Sequence, residues 1–314
     1  MRMRIAAQVL ALFISTGIPG AHASASDELA RPREDRAATG AAVRALKVGI
    51  AQPLVVPGDV DGNIRNMEPL VAEAARRGAK LVLFSECGIT GYDLKGVAVR
   101  AARPLDDPAL DRVATMARTH GLVIVAGLHE KRGDKLHNTV VVFFPDGRRE
   151  VQRKHNIMEP EKKIAAIAPA ARGRRTFDVD GFRCAILICS DDGIPGIYDE
   201  LAAARCDVVL LPTAGGGSDR IGFHQRELGD PQRRREYLDR AVSCISREGV
   251  ERCLRTQIAV VACNQAGWDA STGYFHPGGS SIVDRTGEVT AVIPPRFVFE
   301  HLRPDLAVGS VSQP

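Results

Sequence analysis

Residues 182–193 read Phe182-Arg183-Cys184-Ala185-Ile186-Leu187-Ile188-Cys189-Ser190-Asp191-Asp192-Gly193. A short apolar run closed by a polar, glycine-containing turn predicts a buried β-strand that ends abruptly at Cys189. A thiol at that boundary is held from behind by the strand and open in front, where turn N–H groups can face a developing oxyanion. Two other polar residues occupy comparable settings. Glu86 closes the apolar stretch Leu81-Val82-Leu83-Phe84, and Lys154 follows a short strand-like stretch in Arg153-Lys154-His155. An acid, a cation and a thiol at three strand ends form a set suited to nucleophilic catalysis.

Outward from these strands, helices and strands alternate from Leu46 onward. Residues 46–52 predict a strand, and 61–77 a helix with Ile64, Met67, Leu70, Val71 and Ala74 at helical spacing before Gly78. Residues 80–86 are the next strand, 108–119 a helix and 122–130 a strand. Residues 138–144 turn through Pro145-Asp146-Gly147 into Glu150-Val151-Gln152 as a hairpin. In the second half, Asp180-Gly181 joins two strands, 198–205 is a helix and 207–211 a strand. A Gly-rich excursion over 215–229 precedes a charged helix over 232–247, then strands at 258–263, 280–284 and 289–293. Alternation mixed with hairpins predicts two sheets covered by helices in one α/β domain, not a purely parallel doubly wound sheet. No internal domain linker interrupts it.

The chain has 314 residues, 45% hydrophobic and 25% charged, which excludes a disordered or fibrous class. Its start is distinct: Met1-Arg2-Met3-Arg4 is basic, residues 5–18 are largely apolar, and Ala21-His22-Ala23 places small residues at a cleavage-type site. Residues 1–23 therefore predict a secretory signal peptide, with an apolar core too short for a comfortable membrane span. An uncleaved anchor is the alternative. Residues 24–45 predict a flexible lead-in, 46–314 the domain, and the location is periplasmic or secreted. Without Arg2 and Arg4 the chain has 40 basic against 38 acidic residues. So small an excess predicts no nucleic-acid partner and no stable membrane association after removal of the signal. Arg233-Arg234-Arg235 reads as a solvated helix face, given Glu236 and Asp239 nearby.

Seven cysteines are an odd number for an exported chain. Cys184 and Cys263 sit in apolar strands as small buried hydrophobes. Cys244 and Cys253 flank a turn-like stretch over 246–249, which leaves a local disulfide open. Other chemistries fit poorly. His129-Glu130 lacks the second histidine of a zinc-protease helix, and Gly215-Gly216-Gly217 lacks the Lys-Ser/Thr of a phosphate loop, so it reads as a mobile active-site loop. A Cys/His pair with His155 or His276 leaves Glu86 and Lys154 without a role.

Phe84-Ser85-Glu86, the run from Gly88 to Tyr92, Arg153-Lys154-His155 and Cys189-Ser190-Asp191 resemble, in this order, the nitrilase superfamily of carbon–nitrogen hydrolases. Supporting matches are the run from Gly127 to Glu130, Leu136-His137-Asn138-Thr139, Asp146-Gly147, Gly279-Ser280 and the run from Asp284 to Gly287. The resemblance extends over about residues 46–308. It implies a four-layer α-β-β-α sandwich, dimerised or further assembled through helices, that hydrolyses a non-peptide C–N bond in a small-molecule amide. By the same resemblance Cys189 is the nucleophile, Glu86 the general base and Lys154 the oxyanion stabiliser, with the N–H of Ser190 as second donor. Glu130 is similar to a fourth, supporting acid, and no cofactor or metal is required. Three departures stand out. Ser85 replaces a frequent proline, Ser190-Asp191 replaces the Trp-Glu of nitrile-specific members, and an Arg-Ala-x-Glu-Asn pattern is poorly kept around Arg255-Thr256-Gln257. The expectation is an exported hydrolase of small amide or carbamoyl substrates acting through a thioester. Nitrile hydrolysis, acyl transfer to an amine and a non-catalytic binding module are the alternatives.

Overall fold

Alternating burial organises the first strand, β1 (Ala45–Gln52), in which Leu46, Val48 and Ile50 are fully buried. A computed structural model describes residues 44–93, 96–159, 161–163, 175–215, 223–227, 229–240, 247–268, 274–295 and 305–313. The predicted signal segment over 1–23 and nearly all of the lead-in lie outside the described residues. After β1 comes α1 (Val60–Arg76), whose Asp59 cap accepts the Gly62 N–H and whose Ile64, Met67, Val71 and Ala74 are buried. Then follow β2 (Leu81–Leu83), α2 (Val97–Arg100) and α3 (Pro108–His120). α3 is capped by Asp107, begins with proline, and stops where Gly121 takes φ 63°.

β3 (Val123–Arg132), β4 (Lys135–Phe143) and β5 (Arg149–Arg153) form an antiparallel meander, with the expected turn at Pro145-Asp146-Gly147. Next come β6 (Thr176–Val179), β7 (Phe182–Ile186), a 3-10 turn over Cys189–Gly193, α4 (Ile197–Ala203), β8 (Val208–Thr213) and β9 (Phe223–His224). α5 (Pro231–Arg240) and α6 (Arg247–Thr256) lead to β10 (Ala259–Asn264), β11 (Ala266–Trp268), β12 (Tyr274–Val283), β13 (Val289–Pro295) and β14 (Asp305–Ser312).

Two mixed sheets result. One has the order β14-β1-β2-β3-β4-β5, the other β11-β12-β10-β8-β7-β6 with β9 and β13 paired to β12. Each has three parallel strands at its centre, β1-β2-β3 and β7-β8-β10, flanked by antiparallel neighbours. Strand parity then sorts the side chains. Leu81, Leu83, Val123 and Val125 of the first sheet pack against Cys184, Ile186, Val208, Leu210, Val261 and Cys263 of the second. Val82, Ile124, Ala126 and Leu128 point the other way, onto α1 and α3. Ala185, Leu187, Val209, Leu211, Val260 and Ala262 point onto α4 and α6. The architecture is therefore the expected α-β-β-α sandwich.

Some local expectations needed correction. The strand expected to reach Glu86 ends at Leu83, because Cys87 adopts φ 51° and the chain turns from Ser85 onward. The turn-like stretch over 246–249 is helical from Arg247, and Cys253 on α6 is a free thiol buried under the second sheet. Cys244 lies outside the described residues. β14 was not foreseen; it pairs antiparallel with β1 over all eight residues. Among the described residues no helix is long and apolar enough to cross a membrane.

Candidate active site

The carboxyl ends of β2 and β8 meet across the sandwich, where the Glu86 N–H donates to the Thr213 carbonyl at 3.3 Å. That approach depends on a tight turn at 85–87. A Cβ added to Gly127 on β3 would lie 2.4 Å from the Cys87 nitrogen, so glycine is required there for the turn to pack. Lys154 comes one residue after β5, and its N–H donates to the Asn138 carbonyl at 2.8 Å. Thr139 pairs with Arg153 on the helix-covered face, so Asn138 and Lys154 face the gap between the sheets. Glu86 and Lys154 are both buried.

There, four side chains close a polar ring. The Lys154 Nζ donates to Glu86 Oε1 at 2.7 Å and to Glu161 Oε2 at 2.8 Å. The Asn138 Nδ2 donates to Glu86 Oε1 at 2.7 Å and to Glu161 Oε1 at 2.9 Å. Glu161 begins a short 3-10 turn, Glu161–Lys163, and its Oε2 also accepts the Met158 N–H. Glu86 Oε2 has no hydrogen-bond partner among the described residues. One carboxylate oxygen is thus fixed and the other can take a proton.

Cys189 opens its 3-10 turn in the left-handed region, φ 49°. A non-glycine residue there carries of order 1–3 kcal/mol of strain and turns the chain sharply at the thiol. Asp191 holds the turn in place: its Oδ1 accepts the N–H groups of His155 and Asn156 at 3.0 and 2.7 Å, and its Oδ2 that of Ile188. Ser190 adds a second stitch, donating its hydroxyl to the Asn156 carbonyl and accepting the Asn156 side-chain amide at its own carbonyl. The residues after Lys154 are therefore tied directly to the turn that carries Cys189. From the other side, Asp192 accepts Tyr198 OH at 2.6 Å and Arg252 at 2.7 Å, and Arg252 also reaches the Asp192 carbonyl. Of the described cysteines, Cys189 alone is partly accessible; the other five are buried.

Burial dominates the electrostatics. It raises Glu86 above the ordinary carboxylate range; Lys154 opposes the rise and Glu161 adds to it. Burial alone would lower Lys154, but Glu86, Cys189 and Glu161 more than offset it and hold the ammonium charged. The two shifts agree physically: two buried carboxylates around one ammonium leave a negative site that retains protons. Burial and the Glu86 charge also raise the Cys189 thiol, while Lys154 and the Ala214 backbone N–H lower it. Burial thus favours the thiol over the thiolate at Cys189.

Glu130 is placed elsewhere. It sits on the opposite face of β3, where Arg153 Nε and Nη2 grip its two oxygens at 2.7 and 2.5 Å and Thr139 donates at 2.7 Å. Parity explains this: His129 and Asn138 form one cross-strand pair facing the gap, and Glu130 and His137 form the next, facing outward. The second carboxylate on Lys154, beside Glu86, is Glu161, which sequence reasoning missed. It lies in a loop without periodicity, so no local pattern marks it. Asn138 was quoted without a role, although its register opposite the strand leading to Lys154 was available. Tyr92, stacked on His129 and edge-on to His276, lines the same region. Burial lowers His129 to about 4, so it is neutral near pH 7. Among the described residues no three His, Cys, Asp or Glu side chains converge as a metal site would require.

Comparison with known proteins fits this geometry. The family model for carbon–nitrogen hydrolase matches residues 42–297. A nitrilase from Pyrococcus abyssi is 33% identical over 155 residues, which cover 48% of this chain and 58% of the relative. Nitrilase 1 of Arabidopsis thaliana is 28% identical over 194 residues, 55% of this chain and 56% of the relative. The matched segments thus span somewhat more than half of these relatives. Among solved structures, an amidase from Nesterenkonia sp. AN1, with acrylamide added at its active-site cysteine, superposes with a TM-score of 0.65. It is 21% identical over 84% of this chain and 92% of its own, a likeness of fold.

Proposed function

This chain belongs to the carbon–nitrogen hydrolase family, and from that premise we propose that it hydrolyses small amides or carbamoyl compounds through Cys189, Glu86 and Lys154. The observation that carries this reading is the state of Glu86. Its Oε1 is fixed by Lys154 and Asn138 while its Oε2 has no partner among the described residues, the arrangement of a base free to take a proton.

The chemistry follows from these residues. Glu86 takes the Cys189 proton as sulfur attacks the amide carbon, and the carbonyl π pair moves to oxygen. Lys154 and the Ser190 N–H stabilise that oxyanion, each such donor contributing about 3 kcal/mol to the transition state. When the tetrahedral intermediate collapses, the C–N bond breaks and protonated Glu86 gives its proton to the leaving ammonia or amine. The thioester then accepts a water molecule deprotonated by the same Glu86, releasing the acid and restoring the thiol. Glu161 and Asn138 hold Lys154 and Glu86 in register throughout.

Ser190-Asp191 after the nucleophile favours amides over nitriles. The basic, apolar and small-residue order of residues 1–23 supports export, testable by the N-terminal residue of the mature protein from periplasmic and cytoplasmic fractions. The activity is tested by ammonia release from a panel of amides, ureido acids and nitriles, with Cys189→Ala beside the wild type. Turnover of amides that vanishes in Cys189→Ala is expected. Unchanged turnover in that variant would end the mechanism. A folded wild type that turns over nothing would favour a binding role.

A further inference from the structure

Gln265 is only 1% exposed, yet neither its Oε1 nor its Nε2 has a hydrogen-bond partner among the described residues. Neighbouring amides behave differently. Asn264 donates to the Gly278 carbonyl at 2.6 Å and accepts from Gly215 N–H and Thr213 hydroxyl at 2.8 and 3.0 Å. Gln52 donates to the Asn264 carbonyl at 3.0 Å. Those two secure the junction of β1, β8, β10 and β12. Gln265 contributes no side-chain bond to it.

Its backbone places it beside the reacting groups. The Gln265 N–H donates to the Thr213 carbonyl at 3.0 Å, and that same oxygen accepts the Glu86 N–H at 3.3 Å. The Gln265 carbonyl accepts the Gly278 N–H at 2.9 Å, so the residue is fixed on both sides. Val261 and Cys263 face the gap between the sheets, and Gln265 continues their parity. The chain leaving the three adjacent parallel strands β7, β8 and β10 of the second sheet thus reaches Cys189, Ala214, whose N–H faces the sulfur, and Gln265.

We propose that Gln265 is a substrate-binding residue whose carboxamide selects amides bearing a second carboxamide or ureido group. The inference rests on the amide-hydrolase reading and names its substrate class. A buried amide with neither end paired carries an uncompensated desolvation cost at both ends, which Leu or Met at this position would avoid. A hydrocarbon substituent would leave that cost in place. A carboxylate would satisfy the N–H side alone. A carboxamide or ureido group presents C=O and N–H side by side and closes both hydrogen bonds at once. Sites built on such bonds discriminate strongly against substrates that cannot make them.

The test compares succinamide with 4-methylpentanamide, in which an isopropyl group replaces the distal carboxamide. It uses wild type, Gln265→Leu and Gln265→Met, with thermal melts to confirm folding. Wild type is expected to prefer succinamide by roughly 10–1,000-fold in kcat/KM. Either variant should cut that preference at least tenfold, mainly through KM, while the rate on 4-methylpentanamide stays within about threefold. An unchanged preference, or equal losses on both substrates, overturns the inference. In parallel, succinamide binding is measured by calorimetry to Cys189→Ala with and without Gln265→Leu. Weakening by tenfold or more supports the inference even if no amide is turned over, which would sink only the hydrolase reading. No binding to Cys189→Ala, or equal binding to both, overturns the role of Gln265.

Discussion

Replacing Glu161 and Glu130 one at a time by glutamine separates two carboxylates on opposite faces of the first sheet, one in the 3-10 turn over Glu161–Lys163 and one on β3. Glu161 Oε2 lies 2.8 Å from Lys154 Nζ, and both side chains are essentially inaccessible. Glu161→Gln keeps the shape but removes the negative charge opposite the Lys154 ammonium and sets an NH2 against donors that the carboxylate had accepted, a loss of about 1–2 kcal/mol. If Lys154 holds the oxyanion, kcat/KM falls about 5–30-fold. A second effect has a definite sign. The Glu161 charge helps to raise Glu86, so removing it lets Glu86 ionise at lower pH and moves the acid limb of the pH–rate profile downward. Glu130→Gln instead weakens a pair whose Arg153 side chain is 25% exposed. The expected cost is about 1–2 kcal/mol of stability after allowing for solvent screening, with kcat/KM within about threefold and the acid limb unmoved. The assays are ammonia release across pH 4–9 and urea unfolding of each variant. A folded Glu130→Gln with a large loss and a shifted limb, beside a normal Glu161→Gln, would refute the reasoning.

Gly127→Ala should destabilise the protein by about 2–4 kcal/mol in urea unfolding, because the added carbon would sit 2.4 Å from the Cys87 nitrogen; wild-type stability would mean that the turn at 85–87 yields easily. Arg252→Met removes the hydrogen bonds to Asp192 behind the nucleophile turn, so kcat should drop about tenfold with KM nearly constant and Arg252→Lys should recover part of it. His129 is lowered to about 4 by burial against about 6.5 unfolded. Its contribution to stability is complete above pH 6.5 and is lost as pH falls through 4, by roughly 3 kcal/mol. His129→Gln should flatten that part of the acid profile, and an identical slope would contradict it.

Buried strands were the most legible part of the sequence, although β2 and β7 stop at Leu83 and Ile186, short of Glu86 and Cys189. Apolar runs closing on Glu86 and Cys189 needed only period and polarity, since burial from both sides leaves few alternatives for Leu81-Val82-Leu83 or Ala185-Ile186-Leu187-Ile188. The hairpin at Pro145-Asp146-Gly147 was equally plain from turn chemistry. Glu130 shows where this kind of reading runs out. In a strand, adjacent residues face opposite layers, so a misjudged face moves a carboxylate from the site to the helix side. Only the register of His129 with Asn138 and Thr139 with Arg153 resolves it. Glu161 and Arg252 were illegible for another reason. One lies in a short 3-10 turn and the other on a helix, and each is placed by contacts far apart in sequence, such as Glu161 to Asn138 and Arg252 to Asp192. β14 escaped notice because Asp305-Leu306-Ala307-Val308-Gly309-Ser310-Val311-Ser312 is only moderately apolar, and its pairing with β1 supplies the order.

The most direct test of the central claim is to find where the acyl group rides. The enzyme is quenched in acid during turnover of an amide whose ammonia release has been established, and its peptides are examined by mass spectrometry. A thioester on the peptide containing Cys189, absent from Cys189→Ala, is the predicted result. Turnover by the wild type without an acyl adduct, or with an adduct on Cys87, would contradict it.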